Sequence, residues 1–384
     1  MRILYCIPHL YNSGGMERVL TQKVNWLAAH TDHAITILTT ERTPQGLNDT
    51  YFPLDKRVNV VALSLDFNED YHKRLLPKWV GHVRRMRAYR KALTDYIRTH
   101  AIDLCISLGG KEIAFLKDLP CRTIAEMHFA MNHREQLLMA NHSGCFWSLI
   151  GRIRTRQLVR AVLPLERLVV LTESDKADWI QAGCTNVVCI PNPCSLDGQI
   201  IPIKPKRKRV LAVGRLHEQK GFDRLLEAWQ PIDAKYPDWT LRIVGEGPKR
   251  PQLEEQRLVC RLLDSVELPG VVADVKEEYA EASLFVLSSR YEGFSLVLSE
   301  AMWCGVPCIA FDCPHGPAEL LAGERGWLVP NGDIKALSAQ IEYAINHPYE
   351  AAERAQRAQA FARQTYSEES IMPQWEELIV NCKL

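Results

Sequence analysis

Residues 284–311 read LFVLSSRYEGFSLVLSEAMWCGVPCIAF, one complete unit of a grammar that repeats along the chain. Leu284–Leu287 is a short apolar run, the pattern of a buried strand. A glycine turn at Gly293 then feeds a helix over Leu296–Trp303, and Cys308–Phe311 reads as the next strand. The same alternation runs upstream. Val210–Val213 and Leu241–Val244 read as strands, and Gly221–Trp229 and Leu253–Leu263 as helices. In the first half, Ile3–Ile7, Ala34–Leu38, Leu104–Ser107, Leu168–Leu171 and Val187–Ile190 are apolar runs bounded by turn residues. Helical periodicity lies between them, as in Glu17–Ala29. Strands alternating with helices predict parallel sheets covered by helices on both faces, an α/β architecture.

The grammar breaks once, at Ile200–Arg209, which is polar and punctuated by prolines and reads as a linker. Two doubly wound, Rossmann-like domains are therefore expected, at residues 1–200 and 201–365. From Ile334 the chain is mostly helical, and a last helix over 366–384 is expected to pack back on the N-terminal domain.

The 384 residues carry a formal net charge of +1, so the whole molecule has no polyanion-binding signature. The halves differ. Residues 1–200 hold 25 basic and 19 acidic side chains, whereas the remainder holds 22 and 27, so the first half is the one suited to an anionic partner. The 12 cysteines show no CxxC pair and no histidine at zinc spacing, which reads as free thiols in a reducing cytosol. The opening Met1–Pro8 is too short and too soon interrupted for a signal peptide and reads as a first strand. No uncharged stretch approaches the roughly 20 residues of a membrane span. The best candidate, Phe146–Leu171, is broken by five arginines. Any membrane contact is expected from the side, on the inner face.

Three segments carry groups suited to a phosphorylated ligand. Asn12-Ser13-Gly14-Gly15-Met16-Glu17 follows the first strand and opens a helix, whose N-terminus suits an anion; it fits a plain strand-to-helix turn equally well. Gly214-Arg215-Leu216-His217-Glu218-Gln219-Lys220-Gly221 brings two cations five residues apart to the carboxyl end of a strand, where ligands of open α/β sheets bind; the bland alternative is a solvated basic loop. In Glu292-Gly293-Phe294-Ser295-Leu296 and on to Glu300, two carboxylates eight residues apart flank a helix N-terminus. They could accept hydrogen bonds from hydroxyls of one ligand or be a solvated pair.

Taken together these segments resemble the retaining glycosyltransferases of family 4, which have the GT-B fold: two Rossmann-like domains facing across a cleft. The resemblance covers nearly the whole chain. It rests on the Gly-Gly loop, G-R-x(4)-K-G, the G-E-G-P of Gly245–Pro248, and E-G-F-S-L-x(3)-E followed by A-M-x-C-G-x-P. It implies roles residue by residue. Gly14 and Gly15 would bring backbone against the donor. Gly214 and Gly245 would line its site. Arg215 and Lys220 would neutralise the departing diphosphate. Glu292 would contact the donor sugar, with Gly293, Phe294, Ser295 and Leu296 offering backbone N–H groups, and Glu300 would hold the ribose. Val271 and Val272 would meet the nucleobase. His128, in Glu126-Met127-His128, would hydrogen-bond the transferred sugar; His133 is the nearby rival, and a satisfied structural histidine is the plain alternative. Asp312–Glu319 looks like the variant found in enzymes that extend bacterial surface or lipid-linked glycans, often from UDP-hexoses.

The resemblance thus implies transfer of a hexose or N-acetylhexosamine, with retention, from a UDP-linked donor. No two aspartates lie two residues apart, so no D-x-D metal pair is present and no metal or other cofactor is expected. Same-face attack by the acceptor, with the leaving diphosphate taking its proton, is the expected course. Closure at the linker would exclude water. For the acceptor, residues 72–99 carry nine basic side chains and one acid, with Leu76, Val80, Val83, Met86, Leu93 and Ile97 at helical spacing. Arg84, Arg87 and Lys91 on one face suit an anionic membrane or a polyprenyl-diphosphate acceptor, or a solvated face. The rival readings are an oxidoreductase, disfavoured by the lack of GxGxxG, a sugar-nucleotide epimerase, and a non-catalytic nucleotide-sugar-binding protein.

Overall fold

Apolar runs of three to six residues become strands here because both faces of each sheet are covered, so most strand positions are buried and the exceptions lie chiefly on the edge strands. The computed structural model describes residues 1–45, 49–67, 75–141, 145–199, 201 and 206–382. Half of the linker expected at 200–209 and the first three residues of the basic 72–99 segment therefore lie outside the described residues.

The chain forms two units. The first comprises Met1–Leu138, Gly144–Pro191 and Met372–Leu384; the second comprises Met139–Ser143 and Asn192–Ile371. The first contains β1 (Arg2–Ile7), α1 (Gly15–His30), β2 (Ala34–Thr39), β3 (Asn59–Ala62), α2 (Leu75–His100), β4 (Leu104–Ser107) and β5 (Arg122–Glu126). After these come α3 (His133–Asn141), α4 (Cys145–Val162), β6 (Arg167–Val170), α5 (Glu173–Gln181) and β7 (Val187–Cys189). Its sheet is wholly parallel, in the order β3-β2-β1-β4-β5-β6-β7. Against it lies a core of Leu4, Leu38, Leu93, Ile97, Leu116, Leu168 and Trp179, among others.

The second unit runs β8 (Arg209–Val213), α6 (Phe222–Lys235), β9 (Thr240–Val244), α7 (Arg250–Val259), β10 (Val266–Gly270), α8 (Val275–Glu281) and β11 (Leu284–Leu287). It continues through α9 (Leu296–Trp303), β12 (Cys308–Asp312), α10 (Pro317–Leu321), β13 (Trp327–Pro330), α11 (Ile334–Asn346), α12 (Pro348–Thr365) and α13 (Glu368–Asn381). Its parallel sheet has the order β10-β9-β8-β11-β12-β13, the same winding as the first. From Met372 onward α13 belongs to the first unit, where Met372, Trp375 and Ile379 are buried.

Several boundaries differ from the sequence reading for identifiable reasons. Helix α6 runs through Pro231 to Lys235 instead of stopping at Trp229. The missing N–H of an exposed Pro231 costs little beside the burial of Ile232 one residue on. Helix α7 starts earlier, with Pro251 in its first turn, and stops before Arg261, which takes a left-handed φ of 56°. Strand β10 contains Pro269, tolerated because β10 is an edge strand with an irregular register. On α2 the apolar stripe buries only its later part. Tyr89, Leu93 and Ile97 are buried, whereas Val80, expected on that stripe, is 54% exposed beside Trp79 at 64%. Among the described residues no disulfide links the cysteines, and no helix is long and apolar enough to cross a membrane.

Candidate functional site

In a doubly wound sheet the strands on either side of the point where winding reverses leave a crevice at their carboxyl ends. That point lies between β1 and β4 in the first unit and between β8 and β11 in the second. The segments Gly214–Lys220 and Glu292–Leu296 follow β8 and β11, the strands that flank the second of these.

Strand β8 delivers Gly214-Arg215, and the short turn Glu218–Lys220 follows. Gly221 then takes a left-handed φ of 61°, and a Cβ there would stand 2.1 Å from the Ser288 carbonyl oxygen, so only glycine fits. This close approach sets Lys220 against the loop after β11. Its Nζ lies 2.7 Å from Glu292 Oε1, and the same oxygen accepts from Ser289 Oγ at 2.6 Å. Glu292 is buried and Lys220 half-buried. Gly214 leaves room for the stem of Lys220, whose carbons would lie 3.3 Å from an added Cβ. Arg215, by contrast, is exposed and makes no ion pair among the described residues.

A clamp that the sequence reading missed holds these two loops together. Arg290 donates to both oxygens of Asp223 at 2.8 and 2.6 Å and lies 3.1 Å from Glu218, while its own N–H reaches the Gln219 carbonyl. Asp223 holds the Arg290 pKa above its ordinary value. The signal was a charged residue in each of the two glycine-bearing loops, without any pattern to say that they pair.

Gly245 meets backbone where a Cβ would project: that atom would stand 1.9 Å from the Gly214 carbonyl oxygen. Its N–H donates to Gly270, and Gly214 donates to Val244, so the loops after β8, β9 and β10 are laced in series. The G-E-G-P segment therefore shapes the loop that carries Arg215. Beyond Gly270, Val271 is 66% exposed and Val272 half-buried.

Helix α9 starts at Leu296 with Ser295 as its N-cap, and no side chain caps it. Ser295 Oγ is buried without a hydrogen-bond partner. Phe294 is buried edge-on to Tyr366, and Gly293 is half-buried before it. Gly316, at φ 100°, lies against the start of α9, where an added Cβ would stand 3.6 Å from the Ser295 nitrogen. Glu300 is buried on α9, its two oxygens taken by Tyr279 O–H at 2.8 Å and by Ser195 O–H. Glu292 and Glu300 are thus not a solvated pair; each is buried with its own partners. Burial, reinforced by Glu300, pushes the neighbouring Cys304 thiol up to about 12.

In the first unit Gly14 is the N-cap of α1 and Gly15 its exposed first residue. The helix end already has an acid: Glu17 turns back so closely that a Cβ on Gly14 would lie 2.2 Å from its Oε2, and His9 holds the other oxygen at 3.2 Å. His128 follows β5, its side chain nearly buried, with Nε2 3.2 Å from Glu126 Oε1. The rival His133 stacks on Phe129, and burial, aided by Arg134, holds its pKa down to about 4. Arg84, Arg87 and Lys91 are exposed on α2.

Residues 207–347 match the family model described as glycosyl transferases group 1. An uncharacterized glycosyltransferase of Haemophilus influenzae is 27% identical over 98% of this chain and 99% of its own length. An α-1,4-N-acetyl-D-galactosaminyltransferase of Campylobacter jejuni, whose acceptor is a diphospho-undecaprenol-linked trisaccharide of two GalNAc and one diNAcBac, is 28% identical over 90% of this chain and 89% of its own. Among solved structures, TarM of S. aureus, crystallised with UDP and α-GlcNAc-glycerol, superposes with a TM-score of 0.76 over 98% of this chain and 99% of that one, at 16% identity. At that identity the likeness shows the fold, which is GT-B.

Proposed function

We propose, from the match of residues 207–347 to the glycosyl transferases group 1 model within a GT-B fold, that the protein moves a hexose or N-acetylhexosamine from a UDP-linked donor to a glycan or polyprenyl-diphosphate-linked acceptor in bacterial surface polysaccharide assembly, with retention and without a metal. The observation that carries this reading is the Lys220–Glu292–Ser289 node at the switch point of the second sheet, beside the uncapped start of α9. A diphosphate there meets Lys220, the exposed Arg215 and the free N–H groups of Phe294, Ser295 and Leu296. Such fixed donors stabilise the charge that develops on a leaving group, each worth about 2.7–4 kcal/mol of barrier. Glu292 then has a second task, holding the ammonium in place while it accepts from sugar hydroxyls. A ribose reaching Glu300 exchanges its hydroxyls for those of Ser195 or Tyr279. Val271 and Val272 offer an apolar surface to the base, and His128 a ring nitrogen to the transferred sugar.

The acceptor side rests on α2 and α4. Exposed Trp79 and Val80 accompany Arg84, Arg87 and Lys91 on α2, and Phe146, Leu149 and Ile153 are exposed among the arginines of α4. Apolar side chains amid basic ones suit the anionic inner face of the cytoplasmic membrane. Replacing Arg84, Arg87 and Lys91 together by Glu is expected to abolish sedimentation with anionic liposomes; unchanged sedimentation would remove the membrane from the account.

The transfer itself is tested with labelled UDP-glucose, UDP-galactose and their N-acetyl forms, offered with lipid-linked oligosaccharide acceptors and with EDTA present. One donor is expected to yield a product with its own anomeric configuration. An inverted product would overturn same-face attack. Donor binding with neither transfer nor donor hydrolysis would make the protein a binding module.

A further inference from the structure

Lys23 is fully buried, a rare state for a lysine, and it lies within the apolar stripe of α1 formed by Val19, Leu20, Val24 and Leu27. Its Nζ is 2.5 Å from Glu126 Oε1 and 3.4 Å from the centre of the Trp375 ring, which covers it from α13. Glu126 is the last residue of β5 and equally buried. The next N–H, of Met127, still bonds to Val169, so the backbone stays extended for one residue more. Extended backbone puts the side chains of residues 126 and 128 on the same face. His128 Nε2 accordingly lies 3.2 Å from the same oxygen, Glu126 Oε1, that Lys23 holds.

We propose that Lys23 and Glu126 are positioning residues for His128: the buried ammonium fixes the carboxylate, the carboxylate receives Nε2–H, and Nδ1 is thereby the ring nitrogen presented to substrate. The inference rests on the reading of His128 as the residue that meets the transferred sugar. Three observations favour positioning over a purely structural ion pair. The pair stands directly behind the first residue released from the sheet edge. Glu126 Oε2 has no hydrogen-bond partner and His128 Nε2 is buried without another acceptor, so the contacts of both groups converge on Oε1, 3.2 Å from the ring nitrogen and a small rotation of the ring from hydrogen-bond geometry. An ion pair this deep is also weak evidence for stability alone, since apolar residues of similar volume often serve as well. Burial by itself would raise the Glu126 pKa, but the charge of Lys23 and the contact with His128 outweigh it and hold the carboxyl down to about 2, so it is an anion throughout the working range.

The test reads the ring before it reads activity. In uniformly 15N-labelled protein, a downfield ring N–H resonance assigned to His128 by its loss in His128→Ala is expected to correlate with Nε2. It is expected to disappear in the double variant Lys23→Met/Glu126→Leu. Should that variant fail to fold, Glu126→Gln keeps the shape and an acceptor for Lys23, and the resonance is expected to move upfield as the acceptor loses its charge. A proton on Nδ1, or a resonance indifferent to residue 126, overturns the proposal. Transfer assays then separate this inference from the reading beneath it. The double variant is expected to lower the transfer rate about 100-fold with donor affinity unchanged. Combined with His128→Ala it is expected to add nothing further, because the pair acts through that ring. Losses that multiply make the pair structural only. An Nε2–H resonance in a protein whose transfer is indifferent to His128→Ala keeps the geometry and removes His128 from the reaction.

Discussion

The two units share one winding, yet they hold their charged groups differently. At the switch point of the second unit the ionic groups sit in loops or, for Asp223, in the first turn of α6, and all but Glu292 are partly open to solvent: Lys220 pairs with Glu292, Arg290 with Asp223. In the first unit the corresponding charges are sealed within the fold, with Lys23 and Glu126 both fully buried and Trp375 covering them. The difference teaches what each arrangement can do. A loop-borne ammonium can release part of its interaction to an arriving diphosphate. A sealed pair exchanges nothing with a ligand and can only hold a neighbour in place.

That contrast can be broken by substitution. The largest effect is expected from Glu126→Ala, which leaves the Lys23 ammonium buried without its partner: stability should fall by about 3–5 kcal/mol, seen in the denaturant midpoint. Lys23→Met/Glu126→Leu should recover most of that loss. Acid acts on the same pair gradually. The Glu126 carboxyl titrates at about 2 in the folded state against 4.5 ordinarily, so its contribution is complete above 4.5 and is lost as pH falls from 4.5 towards 2. The melting temperature of the wild type should therefore drop more steeply over that interval than that of the double variant.

Next in size, Lys220→Met should slow transfer by about 2.7–4 kcal/mol of barrier while changing the melting temperature little, because Lys220 reaches solvent and Glu292 keeps Ser289. Equal losses of stability in the two units would erase the distinction between exchangeable and sealed charge. Gly245→Ala should cost about 1–3 kcal/mol of stability, since its Cβ meets the Gly214 carbonyl oxygen and its φ is 141°. Smallest, Asp223→Asn should remove about 0.5–1 kcal/mol, because the Arg290 clamp is partly exposed. Donor affinity should weaken with it as the loops loosen.

The same contrast explains how much of the molecule could be read in its sequence. The alternation of apolar runs with helical periodicity carried the fold, since parallel strands covered on both faces leave that trace. The motifs of the second unit are contiguous, so Lys220, Glu292 and Glu300 stood out before their partners were known. What could not be read was pairing across the fold. Nothing in Ser195 or Tyr279 announces that both donate to Glu300, and Arg290 gives no sign of seeking Asp223. Gly245 was legible as a constrained glycine, but only the structure shows that backbone imposes the constraint. Lys23 carried a sharper signal, a cation where helical spacing calls for an apolar side chain. Its meaning depends on Glu126, 103 positions away.

On the proposed function, the Lys220 node holds a nucleotide-sugar diphosphate unaided by a metal. The most direct test is calorimetric titration of the wild type and Lys220→Met with UDP and UDP-sugars in EDTA. Binding by the wild type, weakened at least tenfold in the variant, is the expected result. Equal affinity in both proteins, or binding by the wild type only after a divalent cation is restored, would contradict it.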